Sequence, residues 1–203
     1  MPPSIRTLLL DFDGVLVDYD RRQRLRVLGE LLGREPSRIQ AALYDSGLEQ
    51  RYDAGEIDTG DYLAELGDGL RCKVTAAHWL QARAAASRPR PTVIARIAAV
   101  AQRVPIAVLT NNGPLLARML PERVPGLFPA LHGRVLCSGT LGGRKPELAV
   151  YARALARIDA DASTTLFIDD LFRNVRAARH AGLQADTAHD PRSVGRVLGR
   201  YGL

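Results

Sequence analysis

The sequence predicts an α/β chain: a doubly wound parallel sheet covered by helices, interrupted near its start by a helical insertion. Three observations carry that expectation. The apolar run Thr7-Leu8-Leu9-Leu10 ends in Asp11-Phe12-Asp13-Gly14, the pattern of a strand buried on both faces whose carboxyl end opens onto a ligand crevice. From Glu35 to about Ser87 the chain shows short helical patterns and no strand pattern. Beyond Pro91, apolar strands and amphipathic helices alternate to the end.

After the first strand, Leu25, Leu28, Leu31 and Leu32 give Arg21 to Leu32 helical spacing, with Gly33 as its stop. The insertion reads as helices over Pro36 to Tyr44, Thr59 to Leu66 and Thr75 to Ala86, broken at Gly47, Gly55 and Gly67. Arg88-Pro89-Arg90-Pro91 stiffens its exit, and a helix follows through Val93, Ile94, Ile97 and Val100. Four further strands are predicted: Pro105 to Leu109, Arg134 to Cys137, Thr164 to Ile168 and the weaker Leu183 to Thr187. Helices are expected over Leu115 to Leu120, Pro146 to Ile158, Leu171 to Ala181 and near Ser193 to Tyr201. The expected division is a doubly wound core of residues 1–17 and 89–203 and a helical insertion of residues 18–88, joined at 15–18 and 88–91.

Composition narrows the function classes. With 203 residues and 46% hydrophobic content the chain is long enough for one core plus a small insertion. No apolar run approaches the roughly 18 residues that cross a bilayer, and the N-terminus lacks the ordered regions of a signal peptide. A cytoplasmic protein with no membrane partner is expected. Cys72 and Cys137 lie far apart with no CxxC or paired-His context, so they read as small apolar residues rather than a disulfide or zinc site. The net charge of +6 would admit a nucleic-acid partner, and Arg21-Arg22-Gln23-Arg24-Leu25-Arg26 is the densest basic run. Arginine is scattered throughout, however, and no aromatic platform accompanies the run, so it reads as a solvated helix face and no nucleic acid is expected. His78, His132, His180 and His189 show no ligand spacing.

The chemistry gathers at strand ends. Residues two apart on a strand point to one side, and the turn at Gly14 lets Asp13 swing back over Asp11. Two acids at one buried strand end are costly without a cation. Each strong strand ends in polar residues, and in a parallel sheet those ends share one edge, so Asp11, Asp13, Thr110, Asp169 and Asp170 should converge. Lys145, in Gly143-Arg144-Lys145-Pro146-Glu147, joins them just before a helix expected to carry Pro146 in its first turn. It is one of only two lysines in an arginine-rich chain, which suggests a site that wants a compact ammonium.

Asp11-Phe12-Asp13-Gly14, Thr110-Asn111, Lys145-Pro146 and Phe167-Ile168-Asp169-Asp170, in that order, resemble the haloacid dehalogenase (HAD) superfamily of hydrolases over nearly the whole chain. The resemblance implies a Rossmann-like core with a small helical cap after the first strand. It also implies a magnesium-dependent phosphatase acting on a small phosphorylated molecule through an aspartyl-phosphate. Asp11 would be the nucleophile, and Asp13 the acid for the leaving group and then the base for water. Mg2+ would be held by Asp11, the backbone carbonyl of Asp13 and a fourth-motif acid. Asp170 is favoured as direct ligand, with Asp169 acting through water or bracing Lys145, and the reverse assignment stays open. Thr110, the Asn111 N–H and Lys145 would surround the phosphoryl oxygens. Asn174 matches the family's trailing polar residue, while Leu171 stands where a small polar residue is expected.

Other readings fit less well. A calcium loop from Asp11 would need glycine and glutamate where Leu16 and Arg22 stand, and a P-loop fails on Arg144 and Pro146. A phosphoacceptor signalling domain uses similar residues in a different order. A carbon-attacking dehalogenase would lack Asp13. A phosphomutase of the same family would share the core residues and stays open. Tyr44-Asp45, Arg51-Tyr52-Asp53 and Gly55-Glu56-Ile57 could face the active site, and Tyr52 to Ile57 with Leu109 to Gly113 resemble members acting on sugar phosphates.

Overall fold

A computed structural model describes residues 4–203, so the first three residues of the expected 1–17 segment lie outside it. The strands are β1 (Thr7–Leu10), β2 (Val17–Tyr19), β3 (Ser87–Pro89), β4 (Ile106–Thr110), β5 (Val135–Cys137), β6 (Thr165–Asp169) and β7 (Gln184–Thr187). Five of them form a sheet in the order β5-β4-β1-β6-β7, with every pairing parallel. β1 is central, with Leu8 beside Ile106 on one side and Leu166 on the other. The chain therefore winds outward in both directions from β1, which places the topological switch at the carboxyl end of the strand carrying Asp11.

Period-two alternation sorts the strand residues onto two faces. Leu8, Leu10, Ile106, Val108, Leu166 and Ile168 belong to one apolar cluster, and Leu9, Ala107, Leu109, Phe167 and Ala185 to the other. The helices in chain order are α1 (Arg21–Leu32), α2 (Pro36–Gln40), α3 (Leu48–Ala54), α4 (Thr59–Leu70), α5 (Ala76–Ala85), α6 (Pro91–Ala101), α7 (Leu115–Arg123), α8 (Ser138–Leu141), α9 (Leu148–Ile158), α10 (Phe172–His180) and α11 (Pro191–Arg200). α6, α7 and α11 cover the first face, and α9 and α10 the second. α1 to α5 form the insertion, whose Leu28, Leu43, Tyr52, Leu66 and Trp79 join the first cluster, so its interior is continuous with that of the sheet. No helix among the described residues is long and apolar enough to cross a membrane.

Several expectations are corrected. The insertion is entered and left through an antiparallel ribbon, with Val17 opposite Pro89 and Tyr19 opposite Ser87. Both strands have only three residues, too few to show alternation, and the second ends in Pro89, so the exit reads as a stiff linker in sequence. α3 was not expected; Gly47 and Gly55, both left-handed, bracket its seven residues. Gly67 does not break α4, which runs on to Leu70; the chain doubles back so that the Cys72 carbonyl would lie 2.9 Å from a Cβ at Gly67. The helix from Pro36 ends at Gln40 and continues as one π-helical turn over Ala41–Asp45. Pro146 precedes its helix, since Glu147 is the N-cap of α9 and Lys145 stands in the loop before it. The basic run is divided too: Arg24 is buried against Glu49, while Arg21 and Arg22 remain exposed.

Candidate active site

The end of β1 builds the floor. The Asp11 amide still donates to the Ile168 carbonyl at 2.8 Å, so its backbone belongs to the sheet although its side chain has left the apolar layers. The chain then turns at Gly14, whose φ of 81° is left-handed, and the Gly14 amide closes the turn on the Val17 carbonyl. Gly14 is required twice over, because a Cβ there would run into the Asp170 carboxylate.

Lys145 ties the floor together. Its Nζ lies 2.8 Å from Asp11 Oδ1 and 2.7 Å from Asp169 Oδ2, with all three side chains almost out of water. Asp169 also accepts from the Leu171 amide at 2.8 Å and from Asn174 Nδ2 at 3.0 and 3.1 Å. The Leu171 side chain therefore does not deprive the acid of a partner, because its backbone supplies the donor. Asn111 holds the Lys145 loop by a reciprocal pair: its Nδ2 donates to the Lys145 carbonyl and its Oδ1 accepts from the Lys145 amide, both at 2.8 Å.

Charge is unbalanced here. Asp11, Asp169 and Asp170 place carboxylate oxygens within 4.8 Å of one another, against the single Lys145 ammonium in contact with them. Burial pushes the Asp11 carboxyl well above its usual range; Lys145 opposes that, while Asp169 and Asp13 add to it. Asp170 is raised by burial and by Asp169. Burial works against the charge of Lys145 as well, but Asp11 and Asp169 outweigh it and lift its pKa. A surplus of hard oxygen donors at one buried point is the donor set that a small divalent cation satisfies.

These residues open into a pocket of about 460 Å³ lined by Asp11, Asp13, Thr110, Asn111, Lys145 and Asp170, with Asp169 behind it. The sequence-predicted set thus converges. Sequence reasoning missed several neighbours. Asn112 Nδ2 donates to Thr110 Oγ1 at 2.8 Å and to Asp13 Oδ2 at 3.2 Å. Arg83 of α5 pairs with Asp13 at 2.6 Å. Arg90, Arg144 and Arg173 also line the pocket. Arg90 was visible only as part of a stiff linker, and Arg83 carried no local signal at all. Conversely, Tyr52 turns inward: its hydroxyl accepts from the Leu115 amide at 3.1 Å and pairs with Thr59, and it does not line the pocket.

A sesquiterpene phosphatase of Aspergillus oryzae is 26% identical over 190 residues, covering 90% of this chain and 89% of its own. A predicted HAD-like family hydrolase from Porphyromonas gingivalis superposes with a TM-score of 0.80 at 20% identity over 98% of both chains. A HAD family enzyme of Bacteroides thetaiotaomicron, in complex with magnesium and inorganic phosphate, gives 0.72 at 17% identity over 90% of this chain and 93% of its own. The likeness in structure is one of fold. The haloacid dehalogenase-like hydrolase family pattern matches residues 5–182, a span that runs from β1 through the insertion and the paired acids at the end of β6 to just past α10, and the chain belongs to that family of hydrolases.

Proposed function

We propose that the protein is a magnesium-dependent phosphatase acting on a small phosphate monoester through an aspartyl-phosphate. The observation that carries this reading is the meeting, in one pocket, of Asp11, Asp13, Thr110, Lys145 and Asp170 from four separate strand ends and loops. Phe12 N–H and Lys145 both bind Asp11 Oδ1, which leaves Oδ2 to attack phosphorus. The new Asp11–phosphorus bond forms as the bond to the alcohol oxygen breaks, and Asp13 passes a proton to that oxygen. A positioned acid contributes roughly 10² to 10⁴ in rate for such a poor leaving group. Water then gives a proton to Asp13 and attacks phosphorus, releasing inorganic phosphate and restoring Asp11. Thr110, the Asn111 N–H and Lys145 stabilise the phosphoryl oxygens throughout. Asp11, Asp170 and the Asp13 carbonyl would hold Mg2+, which would supply positive charge to offset that of the carboxylates and the phosphate. Asp169, committed to Lys145, Asn174 and the Leu171 amide, braces the lysine. The inserted helices act as the cap.

The alcohol is a separate question. Of the two segments that suggested a sugar phosphate, Tyr52 to Ile57 contributes nothing to the pocket lining and Tyr52 is buried, whereas Leu109 to Gly113 supplies Thr110, Asn111 and Asn112 to it. Leu171, 42% exposed at the pocket lining, favours an apolar alcohol, and so does the similarity to a sesquiterpene phosphatase. Phosphate release from an isoprenyl phosphate and a hexose phosphate should separate the two, with higher kcat/KM for the isoprenyl ester. For the chemistry itself, turnover of an aryl phosphate should continue for many cycles with Mg2+, stop on chelation and return when Mg2+ is restored. Asp11→Asn should lower kcat by roughly four or more orders of magnitude. Turnover indifferent to chelation, or a fully active Asp11→Asn, would defeat the reading, and uptake of one phosphoryl group without further turnover would indicate a phosphoacceptor domain.

A further inference from the structure

We propose that Arg83 is a positioning residue for Asp13, through which the inserted helices set the acid that the phosphatase reading above requires. Arg83 lies in the last turn of α5 and is 1% exposed. Its Nη2 is 2.8 Å from Asp13 Oδ1 and 2.6 Å from Oδ2, so one nitrogen spans both carboxylate oxygens. Its other terminal nitrogen donates to Ser87 Oγ, and its guanidinium carbon stands 4.1 Å from the centre of the Tyr19 ring. Tyr19 and Ser87 are opposite one another in the β2–β3 ribbon. The guanidinium is therefore seated on the ribbon that joins insertion to sheet, and it reaches from there to the reacting centre.

The pairing binds both partners. A guanidinium this deeply buried needs a carboxylate, and among the described residues the one paired with Arg83 is Asp13. The Asp13 carboxylate, for its part, can turn about two side-chain bonds, and a general acid works only from within hydrogen-bond reach of the oxygen it protonates. Arg83 from the insertion and Asn112 from the loop after β4 hold it from opposite domains of the chain. Displacing a catalytic group by about 1 Å costs roughly 10²-fold. Arg83 thus makes protonation of the leaving group depend on the insertion being seated.

A role confined to folding would lower every activity alike, whereas a role in placing the acid falls on esters that need it. We would compare kcat/KM, which covers only the steps through phosphoryl transfer to Asp11, for wild type, Arg83→Met and Arg83→Lys in Mg2+. The substrates are a simple alkyl phosphate and dinitrophenyl phosphate, whose phenolate departs without a proton. Arg83→Met should lose roughly 30- to 100-fold on the alkyl ester and less than about threefold on the dinitrophenyl ester, with Arg83→Lys recovering part of the alkyl activity. Equal losses on both esters, or none on either, would overturn the proposal. Should Arg83→Met lack a cooperative unfolding transition, Ser87→Ala is compared in the same way; it keeps both charged groups but frees one guanidinium nitrogen. It should lose roughly three- to tenfold, again on the alkyl ester alone. Wild type inert toward both esters would instead refute the phosphatase reading, so the two failures are distinct.

Discussion

Asp169 and Asp170 are neighbours in sequence that the fold gives different partners. Asp169 is 0% exposed and engages Lys145, Asn174 and the Leu171 amide, whereas Asp170 turns to the pocket and packs its carboxylate over the Gly14 backbone. Asp170→Asn keeps shape and removes charge, so the Mg2+ concentration for half-maximal activity should rise at least roughly tenfold while kcat at saturating Mg2+ falls less. Asp169→Asn should do the opposite, lowering kcat at any Mg2+ concentration because Lys145 loses a partner. A Mg2+ titration of the two variants decides between them, and the reversed pattern would exchange the assignments. At this scale much of the site was legible, because Asp11, Thr110 and the acid pair each stand where an apolar run turns abruptly polar. Arg83 and Asn112 were not legible in the same way. Arg83 reaches Asp13 only because α1 to α4 fold between them, and Asn112 acts by a side-chain reach that spacing does not reveal.

At the scale of elements, the insertion is held by polar groups as well as apolar ones. Arg24 of α1 pairs with Glu49 of α3 with side chains 2% and 8% exposed. Tyr62 donates to Glu49 Oε2, and Trp79 Nε1 donates to the Tyr62 hydroxyl at 3.0 Å. Burial opposes the charge of Arg24, but Glu49 together with Tyr19, Tyr44 and Tyr62 outweighs it and holds its pKa well above the ordinary value. Removing one partner strands the other charge in the interior. Glu49→Ala should therefore cost about 3–5 kcal/mol in urea unfolding. A loss below about 1 kcal/mol would mean that water or another group takes over Arg24. The basic run containing Arg24 read as a solvated face because charge density alone does not tell which member a later helix will cover. Docking of the insertion is equally specific. Tyr52 stacks on Tyr62 with ring centres 4.1 Å apart, and its ring fills the space beside Gly113 that any Cβ there would occupy. The glycine after Thr110-Asn111-Asn112 is thus a socket for the insertion, not only a flexible link in the loop.

For the whole molecule, five parallel strands bring segments more than 150 residues apart, from Asp11 to Asp169 and Asp170, to one pocket edge. That much followed from alternating strand and helix patterns, since the runs behind β1, β4 and β6 were apolar enough to be read alone, with β7 the weaker. The β2–β3 ribbon did not follow, because its pairing is set by residues 70 positions apart that carry no periodic signal of their own. Both features meet around Asp11 and Asp13, where the topology gathers three carboxylates and a lysine and the ribbon seats Arg83 beside Asp13. In the proposed mechanism the phosphoryl group passes through the Asp11 carboxylate. Acid quenching during turnover of a phosphate monoester with Mg2+, followed by mass spectrometry of proteolytic peptides, should find one phosphoryl group on the peptide containing Asp11. A phosphoryl group on any other residue, or none anywhere while phosphate release continues under conditions where the intermediate should accumulate, would contradict it.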